Sequence, residues 1–149
     1  NVVPIVEFTE NETICEGETA MLNGPDDAET YQWIFDGAVI SDQQSISVTV
    51  GGEYTLMVTN EFDCSASAMV EVVVNALPTL DLASSFAICE GEDAVIMADS
   101  DASSFQWFVN GEELTGQTGN TITLNSESMV EVIATNIAGC LSTASTIVT

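Results

Sequence analysis

Apolar and polar residues alternate along this chain with a period of two, the pattern of strands that bury one face. Helical periodicity is absent throughout. In the first half the alternation predicts strands near Val3 to Phe8, Thr19 to Leu22, Tyr31 to Phe35, Ser45 to Val50, Glu53 to Thr59 and Ser67 to Val74. Turn residues separate them at Gly24-Pro25, Asp36-Gly37 and Gly51-Gly52. Asp36-Gly37, like Asn110-Gly111 in the second half, favours the positive φ angles of a tight hairpin.

The pattern occurs twice. At an offset of 74, Ile14-Cys15-Glu16-Gly17-Glu18 falls on Ile88-Cys89-Glu90-Gly91-Glu92, and Tyr31-Gln32-Trp33 falls on Phe105-Gln106-Trp107. Asn1 and Pro4 meet Asn75 and Pro78 at the same offset. Two extra residues around Thr118 to Asn120 move the offset to 76, after which Asn60 meets Asn136 and Cys64 meets Cys140. The chain is read as two repeats, residues 1–74 and 75–149, with Val74 to Leu77 as the junction and Pro78 stiffening it. Six or seven short strands per repeat close naturally as an antiparallel β-sandwich, so the fold class is all-β.

Each repeat is small for a core of its own, and a covalent staple is expected. Four cysteines allow three connectivities. Repeat symmetry favours Cys15 with Cys64 and Cys89 with Cys140, closing loops of 49 and 51 residues. On a chain-entropy account each bond contributes about 4 kcal/mol. Such bonds imply an oxidising compartment. Trp33 and Trp107, on the central strand, are assigned to the core rather than to ligand stacking, together with Tyr31, Phe105 and Tyr54.

Charge narrows the functions. The 149 residues hold 24 acidic side chains and no Lys, Arg or His, a net charge of −24. Such a surface repels phosphate backbones, so nucleic acid is excluded as a partner. Without imidazole, ammonium or guanidinium, the nucleophile–base pairs, Schiff bases and phosphate clamps of most enzymes cannot be built. Carboxylate-pair chemistry is the one enzymatic route left, and no signature supports it, so the chain is read as a non-enzyme. No run of about 20 apolar residues exists to insert into a membrane. The chain is read as a mature protein or an excised piece. Trypsin-like proteases have no site to cut.

Acids cluster at Asp26, Asp27 and Glu29 and again at Asp99 and Asp101, near Glu16, Glu18, Glu90, Glu92 and Asp93. Calcium would suit such oxygen-rich sets. No known calcium-loop pattern is present, and a solvated anionic surface is the plainer reading. No other cofactor is implied. Asn11-Glu12-Thr13 matches the glycosylation sequon. Phe62 and Phe86, near the cysteines, are the nearest candidates for exposed ligand-binding aromatics, and packing around the staple accounts for both.

Motif order carries a resemblance. Cys-Glu-Gly-Glu opens a strand, aromatic-Gln-Trp follows, then Gly-Glu-Tyr, and finally Asp63-Cys64 or Gly139-Cys140. This order resembles the Ig-like and PKD-like repeats of very large bacterial surface proteins, including gliding-motility-type adhesins exported by type IX secretion. The resemblance spans both copies. It implies two Ig-like sandwiches, each with one disulfide, on the cell surface, acting as a structural repeat of a stalk or filament. The alternative is an adhesin module that recognises a glycan, mineral or host protein through its loops. Cys64 comes later after Tyr54 than in antibody domains, so the bridge is expected to clamp the end of the sandwich; Val130 replaces Tyr54 in the second copy and removes any tyrosine-corner bond there. Thr146 to Thr149 followed by Asn1 to Pro4 would read like Glu71 to Pro78, which suggests self-association head to tail or neighbouring repeats of one array.

Overall fold

A computed structural model describes residues 2–149; Asn1, the first residue of the first repeat, lies outside them. The chain divides into two compact units, Asn1–Asn75 and Ala76–Thr149. Asn75 falls to the first unit because it is the last residue of that unit's final strand. Every regular element among the described residues is a β-strand.

The first unit contains β1 (Glu12–Cys15), β2 (Ala20–Asn23), β3 (Thr30–Phe35), β4 (Ala38–Ser41), β5 (Ser45–Val48), β6 (Gly52–Thr59) and β7 (Ser65–Asn75). One sheet runs β1-β7-β6-β3-β4 and the other pairs β2 with β5. The second unit contains β8 (Leu80–Asp81), β9 (Ser85–Phe86), β10 (Ala94–Met97), β11 (Asp99–Ser100), β12 (Ser104–Val109), β13 (Glu112–Glu113), β14 (Thr121–Leu124), β15 (Ser128–Thr135) and β16 (Leu141–Val148). Its large sheet runs β13-β12-β15-β16-β9, with β10-β14 and β11-β8 as the smaller ladders.

Inward residues of the two sheets form one core per unit. Trp33, Leu56 and Val58 in the first, and Ile96, Trp107 and Val132 in the second, are fully buried. Full burial of a large aliphatic side chain contributes about 1.5–3 kcal/mol. Burying an indole N–H would offset part of that gain unless it is bonded. Trp33 donates to the carbonyl of Gln43 at 2.9 Å, and Trp107 to that of Gly119 at 2.8 Å. Both tryptophans are core residues and touch no solvent. Asp36-Gly37 and Asn110-Gly111 take positive φ at both positions, as the two-residue hairpins require.

Beyond the two strands that the alternation does not mark, β1 and β4, three expectations are not met. Val3 to Phe8 is not a strand: its alternation is real, with Val6 and Phe8 packed on the core, but it has no ladder. In the second unit the equivalent segment pairs as β8 with β11, Asp81 opposite Asp99. Pro25 stands in the first repeat where Asp99 stands in the second, and it brings no N–H to such a ladder. The sandwich is also not wholly antiparallel, since β1 runs parallel to β7 and β9 parallel to β16. Third, neither within-repeat disulfide forms. Cys15 and Cys140 are disulfide-bonded, whereas Cys64 and Cys89 carry free thiols.

The parallel pairing explains the third departure. Cys15 lies opposite Asn75, at the end of β7, while Cys64 directly precedes its start. The eleven residues of β7 hold the two cysteines roughly 36 Å apart at about 3.3 Å per residue. A disulfide needs Cα atoms within about 7 Å. In the second unit Ile88 N–H donates to the carbonyl of Thr149 at 2.9 Å, so Cys89 lies beyond the end of β16 and Cys140 before its start.

Candidate functional site at the poles of the repeats

Each unit thus has two chemically distinct ends. At the leading pole the chain enters beside the turn between the last two long strands. At the trailing pole the last strand ends beside the Cys-Glu-Gly-Glu turn. The same asparagine clasp builds the leading pole in both copies, and the same backbone-bonded turn the trailing pole.

The leading pole is organised by one asparagine. Asn60 Oδ1 accepts from the backbone N–H groups of Phe62 and Cys64, both at 3.0 Å, and Asn60 N–H donates to the Cys64 carbonyl at 3.0 Å. Its Nδ2 donates to the carbonyl of Val2 at 2.6 Å, fastening the incoming chain to the turn. Asn136 repeats every one of these bonds: Oδ1 accepts from Ala138 and Cys140, both at 3.0 Å, and Nδ2 donates to Ala76 at 2.9 Å. Ser142 adds a hydroxyl bond to the Pro78 carbonyl at 2.7 Å, where the first repeat has Ala66. Asp63 and Gly139 occupy the equivalent positive-φ position, at 56° and 86°.

At the trailing pole, Glu16 N–H donates to the Asn75 carbonyl at 2.8 Å and Glu18 N–H to the Cys15 carbonyl at 2.9 Å. The Glu18 carboxylate returns to accept the Cys15 N–H at 2.8 Å. In the second unit Glu92 N–H donates to the Cys89 carbonyl at 3.0 Å and Thr149 N–H to Phe86 at 2.8 Å. The Cys-Glu-Gly-Glu motif is therefore a turn that ends the parallel strand and presents its cysteine beside the departing chain.

An open groove of about 720 Å³ lies at the leading pole of the first unit, with Val3, Pro4, Asp26, Asp27, Glu29 and Phe62 in its walls. Phe62 is 55% exposed and does not pack around a staple, because Cys64 makes none. Phe86 does pack, against the second core.

Of the acids read as a calcium set, Asp26, Asp27 and Glu29 stand in the walls of that groove, and Asp99 and Asp101 belong to the second unit. Asp26 accepts from Gln44 Nε2 at 2.7 Å, and Asp101 accepts from Thr79 N–H at 2.7 Å. Asp27 and Glu29 are exposed, and Asp99 belongs to the β11 ladder. Among the described residues no group of three or more His, Cys, Asp or Glu side chains is arranged to hold a metal ion. Asn11 is exposed just ahead of β1, with its carboxamide facing Glu71 across the sheet. Among the described residues no helix is long and apolar enough to cross a membrane.

Tyr54 donates its hydroxyl to the Val50 carbonyl at 2.8 Å and stacks on Phe35 with ring centroids 4.5 Å apart. Burial raises its pKa above the ordinary value. Tyr31 donates to the Pro25 carbonyl at 2.6 Å and lies 3.3 Å from that of Ala28, tying down the acidic loop. Sequence reasoning placed both tyrosines in the core but missed the Asn60 and Asn136 clasps. Their one signal was the shared spacing of Asn to Cys in the two copies.

No protein-family model and no curated protein matches the sequence. Solved structures do. The insect immune protein hemolin gives a TM-score of 0.54 at 14% identity, covering 97% of this chain and 46% of hemolin. An I-band fragment of titin gives 0.52 at 15% identity, covering 99% of this chain and 65% of the fragment. Sidekick-1 immunoglobulin domains 1–5 give 0.50 at 13% identity, covering 99% and 38%. This chain therefore spans less than two thirds of each of them. At such identities the likeness establishes the fold, and both units are immunoglobulin-like β-sandwiches.

Proposed function

We propose that this chain is a structural repeat module of an extracellular stalk or filament, and not an enzyme. One observation carries the reading: each unit takes the chain in at one pole and brings its last strand out at the other, with the same asparagine clasp at the leading pole and the same backbone-bonded Cys-Glu-Gly-Glu turn at the trailing pole in both copies. Elements so built transmit force from end to end through β-ladders rather than enclosing a reaction. The oxidised cysteines favour a location outside the cytoplasm, and motif order favours a surface protein of the bacterial adhesin type. A charge of −24 with no cation keeps lateral neighbours apart in solution.

The groove beside Phe62 supports a second reading, an adhesin module that grips a ligand at its leading pole. Hemolin's structure was described with implications for homophilic adhesion, a property of that protein. Electron microscopy of the purified protein separates the readings. The structural module is expected to form ordered linear assemblies with a repeat set by the two units. Dispersed particles at every concentration, with or without calcium, would remove the filament reading and leave the adhesin module. Loss of the assemblies in chelator would restore a calcium role for Asp26, Asp27, Glu29, Asp99 and Asp101.

A further inference from the structure

The four cysteines fall into two structural classes. Cys15 and Cys89 are trailing-pole residues of the Cys-Glu-Gly-Glu turns, and Cys64 and Cys140 are leading-pole residues of the asparagine-clasped turns. One member of each class is already oxidised. The disulfide-bonded residues, Cys15 and Cys140, belong to the trailing pole of the first repeat and the leading pole of the second. The free thiols, Cys64 and Cys89, are the complementary pair, at the leading pole of the first repeat and the trailing pole of the second.

Free and bonded residues share their backbone hydrogen bonds, while only Cys15 N–H is also held by a carboxylate, that of Glu18, and Cys140 is buried where Cys64 is half-buried. Cys64 N–H is held by Asn60 as Cys140 N–H is held by Asn136, both at 3.0 Å. The Cys89 carbonyl accepts from Glu92 as that of Cys15 accepts from Glu18, at 3.0 and 2.9 Å. Each free thiol is separated from its own repeat's other cysteine by the full length of a strand. Cys89 is exposed and Cys64 half-buried. The second repeat thus serves as the comparison for the first: the asparagine-clasped turn and the Cys-Glu-Gly-Glu turn hold a disulfide in one combination and free thiols in the other.

We propose that Cys89 of one copy and Cys64 of a second copy of this chain form a disulfide, joining the copies trailing pole to leading pole. The inference rests on the stalk or filament reading and adds the bond that would hold it. Electrostatics make a covalent joint apt: each copy carries −24 and has no Lys, Arg or His, so no ion pair between copies can offset their repulsion. The bond forms by exchange with a disulfide oxidant. The Cys89 thiolate attacks one oxidant sulfur and expels one thiolate, leaving a mixed disulfide. The Cys64 thiolate of the second copy then attacks the Cys89 sulfur and expels the other. Two electrons pass to the oxidant, and the two protons lost by the protein thiols end on the two small thiols released.

The test uses oxidised glutathione as oxidant and the full chain as Cys64→Ser and Cys89→Ser variants, run on non-reducing gels. Each variant alone is expected to stay a monomer, and their mixture to give a dimer at twice the 15.7 kDa chain mass. The unsubstituted chain is expected to give a ladder, cleared by reductant. Digestion at glutamate should yield residues 62–71 linked to residues 72–90. Dimers formed as readily by either variant alone, or a mixture that ends as glutathione adducts only, would overturn the proposal. Ordered filaments that persist in reductant and in the double Cys64→Ser, Cys89→Ser variant would also overturn it while sparing the structural reading. A ladder without ordered filaments would uphold the bond and remove the filament.

Discussion

The two repeats share strands, turns and poles, yet solve one packing problem differently. In the first, Phe35 and Tyr54 stack opposite each other on β3 and β6, with Gly52 two residues before Tyr54. A Cβ on Gly52 would sit 2.8 Å from Phe35 Cε2, and Gly52 has φ +143°. In the second, Val109, Ser128 and Val130 occupy the three equivalent places. With the aromatic pair gone there is room for a side chain at Ser128, whose hydroxyl donates to the Ser126 carbonyl at 3.1 Å. The glycine and the ring that crowds it form one unit, so substitutions at either are readable only together.

The largest asymmetry is expected at that glycine. Gly52→Ala should destabilise the first repeat by about 2–4 kcal/mol, combining left-handed backbone strain with overpacking, whereas Ser128→Ala should change the second by under about 1 kcal/mol. Hydrogen exchange in a urea series resolves the two units. Adding Phe35→Val should recover part of the loss, and strict additivity would break the argument.

Tyr54→Phe should cost the first repeat about 0.5–1.5 kcal/mol by removing the hydroxyl's bond to the Val50 carbonyl. Thermal unfolding that reports each unit separately would measure it.

The opposite sign is expected at Thr146. Its buried Oγ1 is the one side-chain polar atom among the described residues that is buried without a hydrogen-bond partner, and Val70 fills the equivalent place in the first repeat. Thr146→Val should stabilise the second repeat by about 1 kcal/mol. Unchanged or lower stability would mean the hydroxyl is satisfied in solution.

The smallest effect is alkaline. Burial holds the Tyr54 pKa above its ordinary 10.0. The unfolded chain loses its phenolic proton first, so Tyr54's contribution is complete below pH 10 and fades as pH rises toward the raised native value. The second repeat has no tyrosine and should lack this loss. Alkaline unfolding followed in Tyr54→Phe should show the first repeat's excess sensitivity reduced.

Much of this architecture is legible in the sequence because alternation reports burial directly. β2, β3, β5, β6 and β7, the hairpin turns and the buried tryptophans all follow from it. What alternation omits is the partner. Val6 and Phe8 alternate correctly and pack, yet Pro25 denies their segment a ladder. β4 escapes notice for the converse reason: Val39 and Ile40 are both exposed on an edge strand, so the apolar run has no buried face to mark it. Cysteine connectivity is hidden most completely. It depends on the register of β1 against β7, a long-range parallel pairing that no local spacing encodes.

That register is the central claim, and cysteine mapping under non-reducing conditions tests it most directly. The native monomer, alkylated and then cut at glutamate, should show Cys64 and Cys89 blocked and the peptides containing Cys15 and Cys140 in disulfide form. Recovery of residues 13–16 linked to residues 62–71, or of residues 72–90 linked to residues 132–149, would place two cysteines of one repeat at the same pole and contradict the account.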